Sequence, residues 1–413
     1  RTPWKNIEIS SHNKTPKRFL MSLQIPRMPS PLSPLVRSTK AARLYQVLRS
    51  SSRPVLGPIV VVALLTHSLF GYGQERYQLY TRADDLRWPW SIAALPSGEF
   101  LITEREGRLV LLRTDGSRMV LTGTPDTYFA GQGGYFDVVL SPAFANDKTL
   151  FLSYAAGDSN ANATAVFKAT LEDESLVEGN TILQVKRTKD TPHHYGGRLL
   201  AIDGETLLLT TGEGFEYREE AQSLASELGK VLRFDFDGNP RGVRRTGKPE
   251  STIWTYGHRN PQGLTVNPRT GQIYLHEHGP RGGDEVNVLL AGSNYGWPAV
   301  THGVDYSGAY VSPFRSAPGM VDPIWTWVPS IAPSGMAWYA GDDFPEWKDS
   351  LLIGALVDRE VRRLKIADAE VVEEETLFAE LDQRIRDVRV FDDRIFLLTD
   401  GEQGSLIEVR PLR

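Results

Sequence analysis

Pro96-Ser-Gly-Glu-Phe-Leu-Ile-Thr-Glu-Arg-Glu-Gly-Arg-Leu-Val-Leu-Leu112 decides how the rest of this chain reads. A Pro-Ser-Gly turn leads into a short aliphatic and aromatic run. A polar turn ending in Gly107 follows, and a second apolar run closes at Leu112, which is the pattern of paired strands. The same unit recurs at Thr149–Tyr154, at Thr206–Thr211 with Lys230–Phe234, and at Gly271–His276. It returns at Ser350–Gly354 with Val361–Leu364, and at Arg394–Thr399 with Leu406–Val409. Helical stripes are scarce, and only Ala221–Gly229 suggests a short helix. Repeated small sheets of this kind are the mark of a propeller, in which radial closure protects sheet edges. The expected fold is therefore all-β: a six-bladed β-propeller over residues 74–413 with long top-face loops. Uneven spacing of the units predicts those loops, the longest from Gly279 to Pro333, and such loops are where sites are built.

The 413 residues carry 46 Lys+Arg against 51 Asp+Glu, a net charge of −5. That figure conceals an asymmetry, because residues 1–73 hold eleven of the bases and one acid, Glu8. An apolar run from Val55 to Thr66, continuing through Leu69-Phe70 and interrupted by Pro58, follows the basic stretch. A positive region before a short apolar region reads as a secretory signal. A retained membrane anchor is the competing reading, although the run is shorter than the ~20 residues a spanning helix needs. Since the chain opens on Arg1, residues 1–20 also read as an over-extended reading frame, with Met21 or Met28 as the start. The expected location is periplasmic. The acidic remainder argues against nucleic acid as a partner. The absence of cysteine excludes disulfides, thiolate metal sites, cysteine nucleophiles and iron–sulfur ligation.

Chemistry concentrates between positions 193 and 302, which hold six of the eight histidines. His194, in Pro192-His-His-Tyr-Gly-Gly-Arg198, is able as a neutral imidazole to take a proton from a hydroxyl, or else to serve as a hydrogen-bonded loop residue. His276-x-His278 alternates along a strand, which suits zinc or, by default, structural hydrogen bonding. Asp284-Glu285 reads either as a calcium site or as a solvated loop. Arg384-Ile-Arg386 puts two guanidiniums on one side of a strand, so an anion is needed there. A ligand carboxylate meets that need, and so does pairing with Asp382, Asp387 or nearby acids. Gly131-Gln-Gly-Gly-Tyr-Phe-Asp137 lacks the Lys-Ser/Thr of a phosphate loop, which sets a nucleotide site aside.

At these residues the chain resembles the soluble aldose sugar dehydrogenases that use pyrroloquinoline quinone, grouped with the glucose and sorbosone dehydrogenases. The resemblance runs in order through Trp90–Leu111, Gly131–Tyr154, His194–Arg198, Leu228–Arg233, Gly257–Gly263, Glu277–Glu285, Asn294–Pro298, Pro329–Pro333 and Gln383–Val388. It implies a six-bladed propeller that oxidises aldoses at C1 to lactones with pyrroloquinoline quinone (PQQ) and Ca2+. It casts His194 as the general base, with Glu213 orienting it. Gln132, Arg259, Asn260, Tyr306, Ser330, Arg384 and Arg386 match cofactor-contacting positions. Gly279 and Pro280 match calcium ligands beside the quinone, and Glu285 with the Tyr295 backbone matches another calcium position. The implied partners are an aldose and an electron acceptor, either a soluble carrier or a quinone, with the protein a monomer or homodimer. Trp325 and Trp327 are expected to wall the sugar cleft, with core packing the other reading for one of them. Three departures accompany the match. Val357 stands where many relatives place a cofactor-binding lysine, with Arg359 as the nearby substitute. His193 replaces an acid found in glucose dehydrogenases, so a glucose preference does not carry over, and Ser330 replaces a threonine. The alternatives are a calcium-dependent propeller lactonase and a non-catalytic propeller binding module.

Overall fold

Six four-stranded antiparallel sheets form the computed structural model, which describes residues 76–244 and 250–412. The expected targeting segment, residues 1–73, lies outside the described residues. Blade 1 comprises Pro89–Ala94, Phe100–Glu104, Arg108–Leu112 and Arg118–Val120, so the opening stretch supplies its second and third strands. Blades 2 to 5 follow in chain order over residues 135–184, 196–256, 261–327 and 333–377. Blade 6 joins Ile385–Phe391, Arg394–Thr399 and Gly404–Pro411 to an outermost strand from the other end of the chain, Tyr77–Leu86. The innermost strands form a closed ring, in which Pro89–Ala94 packs on both Tyr135–Leu140 and Ile385–Phe391.

Second strands are apolar on both faces because each blade is covered by a neighbour on either side. Phe100–Glu104 and Thr206–Thr211 are buried throughout, whereas the outer Arg118–Val120 is largely exposed. The apolar cores accordingly lie between successive blades. Leu101, Leu109 and Leu111 meet Leu150, Leu152 and Phe167 between blades 1 and 2. Ile102 and Val110 meet Phe396 and Leu398 across the closing seam. The inner strands instead turn polar groups towards one another. Arg198 Nη1 lies 3.0 Å from Asp387 Oδ1, Arg389 Nε donates to Asp387 Oδ2 at 2.8 Å, and Arg389 Nη2 reaches Asp137.

Three local expectations need correction. The stretch Ala221–Gly229 is not helical: a 3-10 turn, Arg218–Ala221, ends where the helix was expected to start. Lys230 explains the ending, since its Nζ donates hydrogen bonds to the Glu220 and Ala221 carbonyls at 2.8 and 3.0 Å, along with Leu228 O. The span Gly279–Pro333 is not one loop, because it contains the strands Asp284–Val288 and Trp325–Trp327. Trp325 and Trp327 sit on the outermost strand of blade 4 and pack into the core shared with blade 5. Trp327 Nε1 donates to Glu374 at 2.7 Å, so neither ring walls a cleft at the inner-strand ends.

Candidate active site

Antiparallel pairing brings two junctions of every blade to the same end: the entry to the innermost strand and the turn between second and third strands. The entries carry Gln132, His194, Arg259, Asn260, Ser330 and Arg384, with Arg386 just inside its strand. The turns carry Arg105, Glu213, Gly279, Pro280, Val357 and Asp400. Residues scattered over some three hundred positions thus converge on one face.

His194 is buried, and its Nδ1 lies 2.8 Å from Glu213 Oε1. Its backbone N–H donates to Gln132 Oε1 at 2.8 Å. With φ of 49° it occupies the left-handed region, which non-glycine residues adopt only where surroundings enforce it. Part of that enforcement is Gly212, where an added Cβ would come within 2.2 Å of the His194 carbonyl oxygen. The Phe215 ring meets the imidazole edge-on at 5.1 Å. Burial, reinforced by Arg259, His278, His193 and Lys189, depresses the His194 pKa and favours the neutral ring. Burial also pushes the Glu213 carboxyl up to about 7 against the pull of Arg259. Lys189, which the sequence reading missed, lies beside this pair with its Nζ 3.3 Å from the Tyr195 ring centroid. Burial lowers its pKa to about 7.

Next to the pair opens a cavity of about 400 Å³ lined by Trp88, Trp90, Arg105, Gln132, Tyr195, Asn260, His278, Val357, Arg384, Arg386 and Asp400, among others. Arg384 and Arg386 do pair with an acid, but it is Asp400 and neither Asp382 nor Asp387. Arg384 Nε donates to Asp400 Oδ2 at 2.9 Å and Arg386 Nε to Asp400 Oδ1 at 3.0 Å. Despite burial, those two guanidiniums hold Asp400 below the usual carboxylate range. Asp382 instead pairs with Arg359 at 3.1 Å, and Asp387 serves the central ring. Arg105 is the third guanidinium on the wall. Sequence reading missed Arg105 and Asp400 because each sits in a short polar turn of ordinary composition. The one available signal was their shared place, directly after a blade's second strand.

The remaining expected residues divide between this wall and its surroundings. Asn260 Oδ1 accepts from Gly196 N at 3.3 Å. Arg259 Nη1 donates to Gly279 O at 2.7 Å, and its Nη2 lies 3.5 Å from the hydroxyl of the exposed Tyr306. Ser330 Oγ donates to Asp284 Oδ2 at 2.6 Å, while the Ile331 and Ala332 amides bind the same oxygen. Asp284 is therefore a buried strut and no solvated loop residue. Glu285, its strand neighbour, is part-buried. Burial and the nearby acids Glu277, Asp284 and Asp322 raise its pKa well above the ordinary range. Tyr295 stacks on His258 at 4.8 Å. His276 and His278 do not form a pair of ligands on one strand face: the strand ends at Glu277, and His278 Nε2 binds Pro333 O at 2.6 Å. Both ring nitrogens of His276 are buried without a partner. No group of three or more His, Cys, Asp or Glu side chains converges as a metal site among the described residues.

A sequence profile of the family described as glucose/sorbosone dehydrogenase matches residues 86–408. The chain is 38% identical over 341 residues to the aldose sugar dehydrogenase of Escherichia coli, spanning 79% of this chain and 91% of that protein. It is 25% identical over 283 residues to quinoprotein glucose dehydrogenase B of Acinetobacter calcoaceticus, spanning 61% of this chain and 59% of that protein. The apo crystal structure of the soluble aldose sugar dehydrogenase from Escherichia coli superposes with a TM-score of 0.77 at 37% identity, over 81% of this chain and 100% of that one.

Proposed function

Because this chain belongs to the glucose/sorbosone dehydrogenase family, we propose that it oxidises aldose sugars at C1 to lactones, with pyrroloquinoline quinone and calcium as cofactors. The observation that carries this reading is the buried His194–Glu213 pair beside a cavity walled by three guanidiniums and one carboxylate. The quinone is a planar tricarboxylate, and Arg105, Arg384 and Arg386 offer the charge it requires. Arg105 Nε is buried without a partner, which supports an anionic occupant. Trp88, Trp90 and Tyr195 supply flat apolar surface for its rings.

Each residue then has a defined task. An ionised Glu213 accepts the His194 Nδ1–H, which leaves the Nε2 lone pair to remove the proton of the C1 hydroxyl. Gln132 fixes the His194 backbone, and Asn260 ties the start of the following strand to the neighbouring blade through Gly196. When bound, the quinone supplies the electron sink that receives hydride from C1. Calcium would draw on the Gly279 and Pro280 carbonyls and, at a second position, on Glu285 and the Tyr295 backbone. Carbonyl and carboxylate oxygens are the ligands a hard cation takes. Electrons would leave to a soluble carrier or a quinone. Residues 1–73 would direct the enzyme to the periplasm; no helix among the described residues is long and apolar enough to cross a membrane.

The test is reconstitution of the purified protein with pyrroloquinoline quinone and calcium, followed by dye reduction with a panel of aldoses. Quinone-dependent reduction with sugar is the expected result. Absence of quinone binding, or lactone hydrolysis without it, would overturn the reading.

A further inference from the structure

Arg105 occupies an unusual position for a half-buried charge. It begins the turn after Phe100–Glu104 and faces the cavity, yet no carboxylate among the described residues hydrogen-bonds it. Its Nη2 donates to the carbonyls of Gly131 and Gly133, the latter at 3.0 Å, and its guanidinium carbon lies 5.4 Å from the Phe129 ring centroid. Its Nε has no partner. Asp400, the one acid on that wall, is already shared by Arg384 and Arg386. Burial and the proximity of Arg386 hold the Arg105 guanidinium below its ordinary range, against the opposing pull of Asp400. Across the cavity Val357 is apolar, and Arg359, two residues on, is committed to Asp382.

We propose that Arg105, rather than Arg359, is the third cation that binds a carboxylate of the anionic cofactor, and that it couples this binding to the base. The coupling runs through the turn that Arg105 braces. Gly131 and Gly133 flank Gln132, whose side chain accepts the His194 N–H at 2.8 Å. An anion drawn to Arg105 therefore pulls on the same turn that sets His194. The inference rests on the quinone-binding reading above, and the experiment separates the two.

Cofactor-free wild type, Arg105→Met, Arg105→Gln and Arg359→Met are titrated with pyrroloquinoline quinone by calorimetry and tryptophan fluorescence at two salt concentrations. Loss of one charge-assisted contact should weaken binding by roughly 10- to 100-fold in both Arg105 variants and reduce its salt dependence. Arg359→Met should bind as wild type does. Melting temperatures and far-UV circular dichroism distinguish lost affinity from lost fold. Arg105→Gln keeps a donor towards the Gly131 and Gly133 carbonyls, and it carries the test if Arg105→Met does not fold. Wild-type binding with undiminished affinity in a folded Arg105 variant would overturn this inference alone, as would a loss confined to Arg359→Met. Failure of wild type to bind the quinone would overturn the functional reading along with it.

Discussion

His194 and Glu213 hold one proton between them in the working arrangement, on Nδ1. A next proton on the ring sits on Nε2 and ends its role as a base, and one on the carboxyl removes the negative charge that stabilises the ring once it accepts the substrate's proton. Burial pushes Glu213 up to about 7 and His194 down, with Arg259, Lys189, His193 and His278 all opposing a further positive charge. The pair gains its second proton as pH falls, so kcat/KM should decline about tenfold per pH unit below about 7 and level off above it. A profile flat from pH 8 to pH 5 would remove the pair as the base. Glu213→Gln should lower kcat by about 100-fold or more, because an amide NH2 turned towards Nδ1 selects the wrong tautomer. His194→Ala should leave quinone affinity near wild type while abolishing turnover, measured by titration and dye reduction in parallel.

Single strand pairs are local objects, and turn residues bracketing apolar runs revealed the second strand of every blade and the third strand of four, as Pro96–Leu112 illustrates, but not the innermost and outermost strands. What a strand faces depends on its rank within the blade, and that is set by partners far along the chain. Trp325 and Trp327 were misread for this reason: proximity to Pro329 in sequence says nothing about lying on an outermost strand. Of the site, His194 and the Arg384–Arg386 pair stood out in glycine-rich or charge-dense stretches and Glu213 came only through the family resemblance, whereas Arg105, Lys189 and Asp400 acquire meaning only once the blades are placed in a ring. The inner-strand ion cluster was equally invisible. Asp387 is fully buried between Arg198 and Arg389, so Asp387→Ala leaves two guanidiniums under-compensated. Thermal or denaturant unfolding should show a loss of about 3–5 kcal/mol. At the strand Asp284–Val288, calcium is expected to raise the melting temperature and a chelator to lower it. At a hundredfold excess over its dissociation constant the ion contributes about 2.7 kcal/mol. Glu285→Gln should blunt that response, and an unchanged response would place calcium elsewhere.

At the scale of the whole molecule, the ring is closed by Tyr77–Leu86, which pairs antiparallel from Tyr77↔Pro411 to Leu86↔Gly404, with register shifts on either side of Ala83. Its Ala83 and Leu86 enter the core between blades 6 and 1. Residues 74–413 should therefore melt at the temperature of the full chain. Removal through Leu86 should strip blade 6 of its outer strand, lower the melting temperature and broaden the transition. Equal melting of both truncations would show that closure does not depend on this strand. Pairing of the first strand with the last also imposes an order in time. A chain emerging from the ribosome, or threading through a translocation pore, has to keep Tyr77–Leu86 waiting until Pro411 has appeared. The cavity waits with it, since Arg105 comes from the first blade while Arg384, Arg386 and Asp400 come from the last. A nascent chain thus has no finished cage for an anionic guest, and loading is an event that follows synthesis, in whichever compartment the ring is finally shut.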